Sequence, residues 1–239
     1  MAMLRLDEIV RGSGRYTRRQ IIDLVNEGRI TVNGETAQAI SQRCDPVWDI
    51  RVNGERIEML PSVCVMLHKP SGYVTATESA KEPPVTELLP PEYRHLFPIG
   101  RLDLDSEGLL LLTNDGDLCH RIIMPACEIE KLYYIEVRGS FAPDTAERVR
   151  RGIEVDNGLV CKPAEIEIAE DGKSALVRIT EGKRHQVKRM AAAAGARVTY
   201  LKRLAIGGLR MDDSLKPGGW RVLTAAEIES IFGEKPIAK

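Results

Sequence analysis

The chain is poor in the features that mark a metal site, a disulfide framework or a membrane anchor. Its five cysteines, Cys44, Cys64, Cys119, Cys127 and Cys161, are odd in number and scattered, with no Cys-x-x-Cys, and the histidines show no paired ligand spacing. Neither a disulfide framework nor a zinc site follows from such a pattern, and buried free thiols in a reducing compartment are expected instead. There is no charged-then-apolar leader and no apolar run near the roughly 18 residues that a membrane span requires, so a cytoplasmic location without membrane attachment is expected. Lysine and arginine (34) almost balance aspartate and glutamate (35), a net charge of -1. No global basic field advertises nucleic acid, and any RNA contact has to come from local patches. Internal repeats, low-complexity tracts, a long basic tail and a phosphate-binding loop are all missing.

What the chain does have is length and apolar content. With 239 residues and 43% hydrophobic side chains it can build one large domain plus a small one. Residues 1–60 read as the small module. Leu4, Leu6, Ile9 and Val10 give an apolar face to a short first helix that breaks at Gly12-Ser13-Gly14. Thr17-Arg18-Arg19-Gln20 has the spacing of a capping box and opens a second helix through Ile21, Ile22, Leu24 and Val25, ending near Gly28. Short strands at 29–32 and 49–52 end in the hairpin dipeptides Asn33-Gly34 and Asn53-Gly54.

Arg11, Arg15, Arg18 and Arg19 cluster at the helix break without an acid among them. Cations at a helix start oppose its macrodipole, at a cost of a few tenths of a kcal/mol or more, so an external anion is the better explanation for them. Residues 58–62, with Pro61, read as a linker.

In the larger part, residues 63–67 form a buried strand, His68-Lys69-Pro70-Ser71-Gly72 a turn, and 73–76 a second strand. The proline-rich segment 83–97 holds only a short helix around 86–89. Strand 109–113 and helix 118–123 follow, with His120 a surface or packing residue. Next come strand 131–138 with Tyr133, Ile135 and Val137 on one face, helix 144–151, and antiparallel strands at 153–155, 159–168 and 175–180. An alanine-rich helix closing at Gly195 leads to strand 198–201.

Two stretches carry the chemistry. In the first, a loop bounded by Gly100 and Gly108 packs Arg101, Asp103, Asp105 and Glu107 against Leu109-Leu110-Leu111-Leu112, so its charges stand at a buried rim. In the second, seven cationic side chains and no acid lie between Lys183 and Arg203. The first of them sit where a strand hands over to a helix, which makes a positive mouth.

Gly100-Arg101-Leu102-Asp103, two residues, Ser106, one more, then Gly108 and an apolar strand resembles the catalytic motif of RNA pseudouridine synthases. Within them it is most similar to the branch whose type member modifies small-subunit (16S) ribosomal RNA. Most relatives carry threonine at Ser106, a departure that keeps the hydroxyl. Glu130-Lys131-Leu132-Tyr133 resembles the second motif and Gly182-Lys183-Arg184-His185-Gln186-Val187-Lys188-Arg189-Met190 the third. Upstream, Arg5-Leu6-Asp7, Arg18-Arg19-Gln20-Ile21-Ile22 and Gly28–Gly34 together resemble the S4 RNA-binding domain.

The resemblance implies an α+β fold. A small S4-like α+β domain would span 1–60 and a pseudouridine synthase domain 61–235, built on a mixed, mainly antiparallel sheet flanked by helices. It implies Asp103 as the catalytic carboxylate, Tyr133 against the extruded base and Lys188 as the cation paired with Asp103. RNA contacts would come from Arg101, Arg15, Arg18, Arg19, Lys183, Arg184, His185, Gln186 and Arg189. The expected substrate is ribosomal RNA, 16S before 23S, naked or in a partly assembled small subunit, acted on by a monomer.

Turning uridine into pseudouridine breaks N1–C1′ and rejoins the base through C5, with no redox change, so neither cofactor nor metal is expected. A non-catalytic S4-containing ribosome-assembly protein that keeps the scaffold stays open beside the enzyme, and a metal-dependent nuclease is a distant third. The joint presence of Asp103, Tyr133 and Lys188 favours the enzyme.

Overall fold

A computed structural model describes residues 3–233. The chain divides into two compact units, one running to Val63 and including Thr113–Gly116, the other made of Cys64–Leu112 and the chain from Asp117 onward.

The first unit contains β1 (Leu4–Arg5), α1 (Leu6–Gly12), α2 (Arg18–Asn26), β2 (Ile30–Val32), β3 (Glu35–Thr36), β4 (Arg43–Cys44), β5 (Ile50–Val52) and β6 (Glu55–Arg56). Strands β3-β2-β5-β6 make one small sheet, and β1 pairs with β4. Leu6, Ile9, Val10, Ile21, Leu24, Ile30, Ile50 and Val52 form its core. As the sequence predicts, Thr17 and Gln20 cap α2 reciprocally. Asn33-Gly34 and Asn53-Gly54 turn with positive φ at both positions, the geometry that matches the twist of a hairpin. Leu4 departs from expectation. It belongs to a strand opposite Cys44 and not to the first helix, and the chain turns helical only at Leu6.

The second unit adds β7 (Cys64–Lys69), β8 (Phe97–Ile99), β9 (Glu107–Thr113), α3 (Gly116–Ile123), β10 (Lys131–Gly139) and α4 (Thr145–Arg151). It continues with β11 (Glu154–Val155), β12 (Leu159–Val160), β13 (Glu165–Ile168), β14 (Ser174–Ile179), α5 (Gln186–Ala193) and β15 (Ala196–Ile206). β16 (Leu209–Arg210), β17 (Trp220–Val222) and α6 (Ala225–Ser230) complete it. Its mixed sheet runs β13-β14-β10-β15-β9-β7-β17, with β16 added on β15 and β8 on β9. β10 pairs antiparallel with both β14 and β15, whereas β15 meets β9 in parallel through Lys202↔Glu107 and Arg203↔Gly108. Leu109 and Leu111 pack with Met66, Ile99, Leu118, Ile122 and Ile206 in a core of their own.

Several local expectations give way to tertiary structure. Residues 73–76 form no strand; Val74 makes only an isolated bridge to Pro84. The expected strand 159–168 is two, β12 and β13, interrupted around Pro163, which has no N–H to donate. Strand β15 runs on through Lys202 and Arg203 to Ile206, so Arg203 is a buried sheet residue and not part of a surface patch.

Candidate active site

The loop between β8 and β9 is held from behind at every second residue. The Thr75 hydroxyl donates to the carbonyl of Leu102 at 2.7 Å and accepts the Leu102 N–H at 3.2 Å. Lys69, fully buried at the end of β7, donates from Nζ to the carbonyls of Ser106 (2.7 Å), Leu104 (3.3 Å) and Pro70 (2.9 Å). The Gly72 N–H reaches the Leu104 carbonyl as well, at 2.8 Å. With 102, 104 and 106 pinned at the backbone, the chain turns at 104–105, where the Ser106 N–H meets the Asp103 carbonyl at 3.1 Å, while Arg101 and Asp103 line the open side and Asp105 is exposed beside them. Sequence reasoning places His68 and Lys69 in a turn; they are the last residues of a buried strand, and the lysine is the clamp of the loop. Burial pushes the Lys69 amine down to about 8, with Asp105, Glu107 and Asp103 opposing the fall.

The second wall comes from the segment before α5. Glu181 is almost covered; its carboxylate accepts from the Gln186 amide (2.7 Å), the Lys162 N–H (2.9 Å) and Lys183 Nζ (3.2 Å). Gln186 in turn accepts the Lys183 N–H at 2.9 Å. That network folds 181–186 into a bracket and starts the helix. His185 enters it with φ +52°, a left-handed conformation that costs a β-carbon residue about 1 kcal/mol or more. Its ring then lies with Nε2 3.5 Å from Asp103 Oδ1.

Lys188, on the first turn of α5, reaches both loop carboxylates. Its Nζ is 3.1 Å from Asp103 Oδ2 and 2.6 Å from Asp105 Oδ1. Burial opposes the charge on Lys188, but its bonds to Asp105 and Asp103 outweigh that and raise its pKa, so the ammonium persists at neutral pH. The same Lys188 bond holds the Asp105 carboxyl below the usual range. The sequence names Asp103 as the partner of Lys188; the structure makes the lysine a shared counter-charge, with Asp105 the nearer acid.

Tyr133 on β10 is buried and completes the site. An open recess holding about 450 Å³ of space is lined by Arg101, Asp103, Ser106, Tyr133, His185 and Lys188, with Ile179, Val187 and Leu201 among its apolar residues. The Ser106 hydroxyl is buried with no hydrogen-bond partner among the described residues.

The other expected RNA contacts divide. Arg101 and Arg184 are exposed at or beside the recess and make no ion pair among the described residues. Lys183 is tied to Glu181 and to the Val160 carbonyl, and Arg189 to Asp156. Gln186 is buried with its amide spent inside the bracket, so it shapes the loop and is not free to meet RNA as the sequence suggests. In the first unit Arg19 is exposed without an ion pair among the described residues, whereas Arg15 pairs with Glu55 and Arg18 with Asp7. Asp7 is buried between Arg5 and Arg18, and its carboxyl falls below the usual range because those two bonds outweigh the opposing effect of burial. An internal acid therefore accounts for Arg18, and the external anion expected for the whole cluster is not needed there.

Comparison with known proteins places the chain in a family. Residues 63–193 match the RNA pseudouridylate synthase family and residues 4–46 the S4 domain. An uncharacterized RNA pseudouridine synthase of Bacillus subtilis is 37% identical over 231 residues, 94% of this chain and 97% of that protein. The ribosomal small subunit pseudouridine synthase A of Escherichia coli is 36% identical over 231 residues, 95% of this chain and all of its own length. A crystal structure of a pseudouridylate synthase superposes with a TM-score of 0.71 at 32% identity, covering 95% of this chain and 99% of that one.

Proposed function

The chain belongs to the RNA pseudouridylate synthase family, and from that premise we propose that it isomerises a specific uridine of small-subunit ribosomal RNA to pseudouridine with Asp103 as its catalytic carboxylate. What supports the assignment is one juxtaposition. Asp103 Oδ2 lies 3.1 Å from Lys188 Nζ in a recess that Tyr133 also lines, although the three residues come from a loop, a helix and a strand far apart in the chain.

The reaction detaches uracil from C1′, rotates it and rejoins it through C5, releasing the C5 proton and placing a proton on N1. Asp103 acts at the C1′–C2′ edge of the ribose, by attack on C1′ or by drawing the C2′ proton; either route needs an ionised carboxylate. Lys188 supplies the counter-charge, and its second bond, to Asp105, fixes the amine independently of the reacting acid. Tyr133 packs against the extruded base from the apolar side of the recess. The uridine has to leave its stack to get there, at a cost of a few kcal/mol that phosphate and stacking contacts offset.

Arg101 and Arg184 at the recess hold the displaced backbone, and Arg19 in the S4-like module adds a contact to structured RNA. The 16S molecule as target is supported by relatives matched over nearly their whole length that are named ribosomal small subunit pseudouridine synthase A. Ribosomal RNA as substrate also puts the protein in the cytoplasm. The test is release of tritium from 16S transcript labelled at uridine C5. Turnover is expected with the wild type and none with Asp103→Asn; no release from any ribosomal RNA rejects the reading.

A further inference from the structure

One side chain next to Asp103 differs from its neighbours at 102 and 106. Leu102 and Ser106 are buried, 7% and 1% exposed, and their carbonyls are held by Thr75 and Lys69. The Leu104 carbonyl is held in the same way, by Lys69 Nζ and the Gly72 N–H, yet its side chain is 40% exposed. A lone exposed leucine is ordinary on a protein surface. This one stands between Asp103 and Asp105, on a backbone that cannot rotate it inward without leaving buried hydrogen-bonding groups unpaired. At the other end of the loop, Ile123 is 48% exposed, and its Cγ2, at 4.0 Å, is the atom nearest to where a Gly100 β-carbon would sit. Two exposed aliphatic groups therefore border the segment that carries Arg101 and Asp103.

Phosphates gain nothing from such groups, whereas an unstacked base does. Extruding a nucleotide bares a face of each neighbouring base, and leucine and isoleucine are among the side chains that pack against or between opened base steps. We propose that Leu104 is the surface on which a base next to the extruded uridine rests, with Ile123 extending that surface along the RNA. The inference rests on the reading of Asp103 as the reacting group. It makes Leu104 a positioning residue for the neighbouring nucleotide and a source of sequence or shape preference beside the target. Lys188, one positive charge shared by the two flanking acids, offsets part of their repulsion of the RNA that the leucine meets.

A double-mutant cycle tests it on a small-subunit rRNA fragment carrying the uridine that the wild type modifies, read by tritium release. Leu104→Ala is expected to lower kcat/KM about tenfold, Leu104→Met to restore most of it, and the melting temperature to stay put because the side chain is exposed. Replacing the base on one side of the target by an abasic nucleotide should cost the wild type a similar factor and cost Leu104→Ala almost nothing more. Additive losses, or no loss with Leu104→Ala, overturn the proposal. A loss seen only with a protein-containing subunit particle and not with naked RNA assigns the leucine to a protein partner and overturns it as well. If the wild type modifies no ribosomal RNA at all, the reading of the Asp103 site falls and takes this inference with it, a result that the cycle distinguishes from a silent Leu104.

Discussion

Asp103 and Lys188 are joined by a 3.1 Å contact, but they are not an isolated pair, because Asp105 competes for the same ammonium at 2.6 Å. Removing the amine therefore leaves two neighbouring carboxylates without their shared cation. Lys188→Gln is expected to lower kcat by about 10²–10³, the usual effect of deleting one electrostatic contact at a reacting centre, with a smaller change in KM. Steady-state tritium release measures both. Lys69 acts one layer further back. Lys69→Met takes the buried donor from the Ser106 carbonyl, at a cost of about 1–3 kcal/mol for an unsatisfied group, while the Leu104 carbonyl keeps the Gly72 N–H. Thermal unfolding should show that loss, together with a fall in kcat, since the loop that aims Asp103 is no longer pinned.

Strand β9 meets β15 in parallel through a contact that only glycine allows. A β-carbon on Gly108 would stand 2.3 Å from the Arg203 carbonyl oxygen and 2.6 Å from its nitrogen, and the residue has φ +104°. Gly108→Ala is expected to destabilise the protein by about 1–3 kcal/mol through overpacking alone, with backbone strain in addition. Denaturant unfolding reads the loss.

A second joint, between β17 and α6, is electrostatic. Arg221 donates to Asp212 at 2.7 Å and to Glu227 at 2.7 and 3.1 Å. The Ser214 hydroxyl and amide, then Arg221, hold the Asp212 carboxyl at about 2, against an ordinary 3.8. Arg221 and the Thr224 cap hold Glu227 at about 2, against 4.5. Because the folded state binds these protons less tightly than the unfolded chain, their stabilisation is complete above about pH 4.5 and is lost as pH falls toward 2. Arg221→Ala should flatten that part of the stability-against-pH curve, measured by denaturant titration between pH 5 and 2.5.

Over the whole molecule, a net charge of -1 leaves no global basic field, and several cations are tied to acids of the chain itself. Arg178 faces Glu130, Glu165 and Glu167, Arg189 faces Asp156, and Arg18 shares Asp7 with Arg5. Arg19, Arg101 and Arg184 are among the cations that stay exposed without ion pairs among the described residues. Arg19→Ala should weaken rRNA binding evenly across sequences and reduce the slope of log K against log salt by about one. Arg18→Ala should instead lower the melting temperature, because Asp7 is buried and loses one of its two partners. Filter binding over a salt series and thermal melts separate the two arginines, which look alike in the sequence.

The sequence by itself determined what depends on near neighbours. The cap at Thr17, the Asn-Gly hairpins and the buried leucine strand after Gly108 are all written within a few adjacent residues, where periodicity and turn chemistry act, and each short motif that carries Asp103, Tyr133 or Lys188 is legible through its resemblance to the family. Tertiary structure alone decided what depends on residues distant in the chain. Lys69 finds the Ser106 carbonyl 37 positions away, Lys188 finds Asp105 across 83, and Arg203 donates to the Leu109 carbonyl across 94. A buried charge goes wherever packing leaves it an acceptor, and no local pattern announces where that will be. For that reason a lysine that reads as a turn clamps the loop, an arginine that reads as an RNA contact lies inside a sheet, and a glutamine that reads as a ligand braces a bracket.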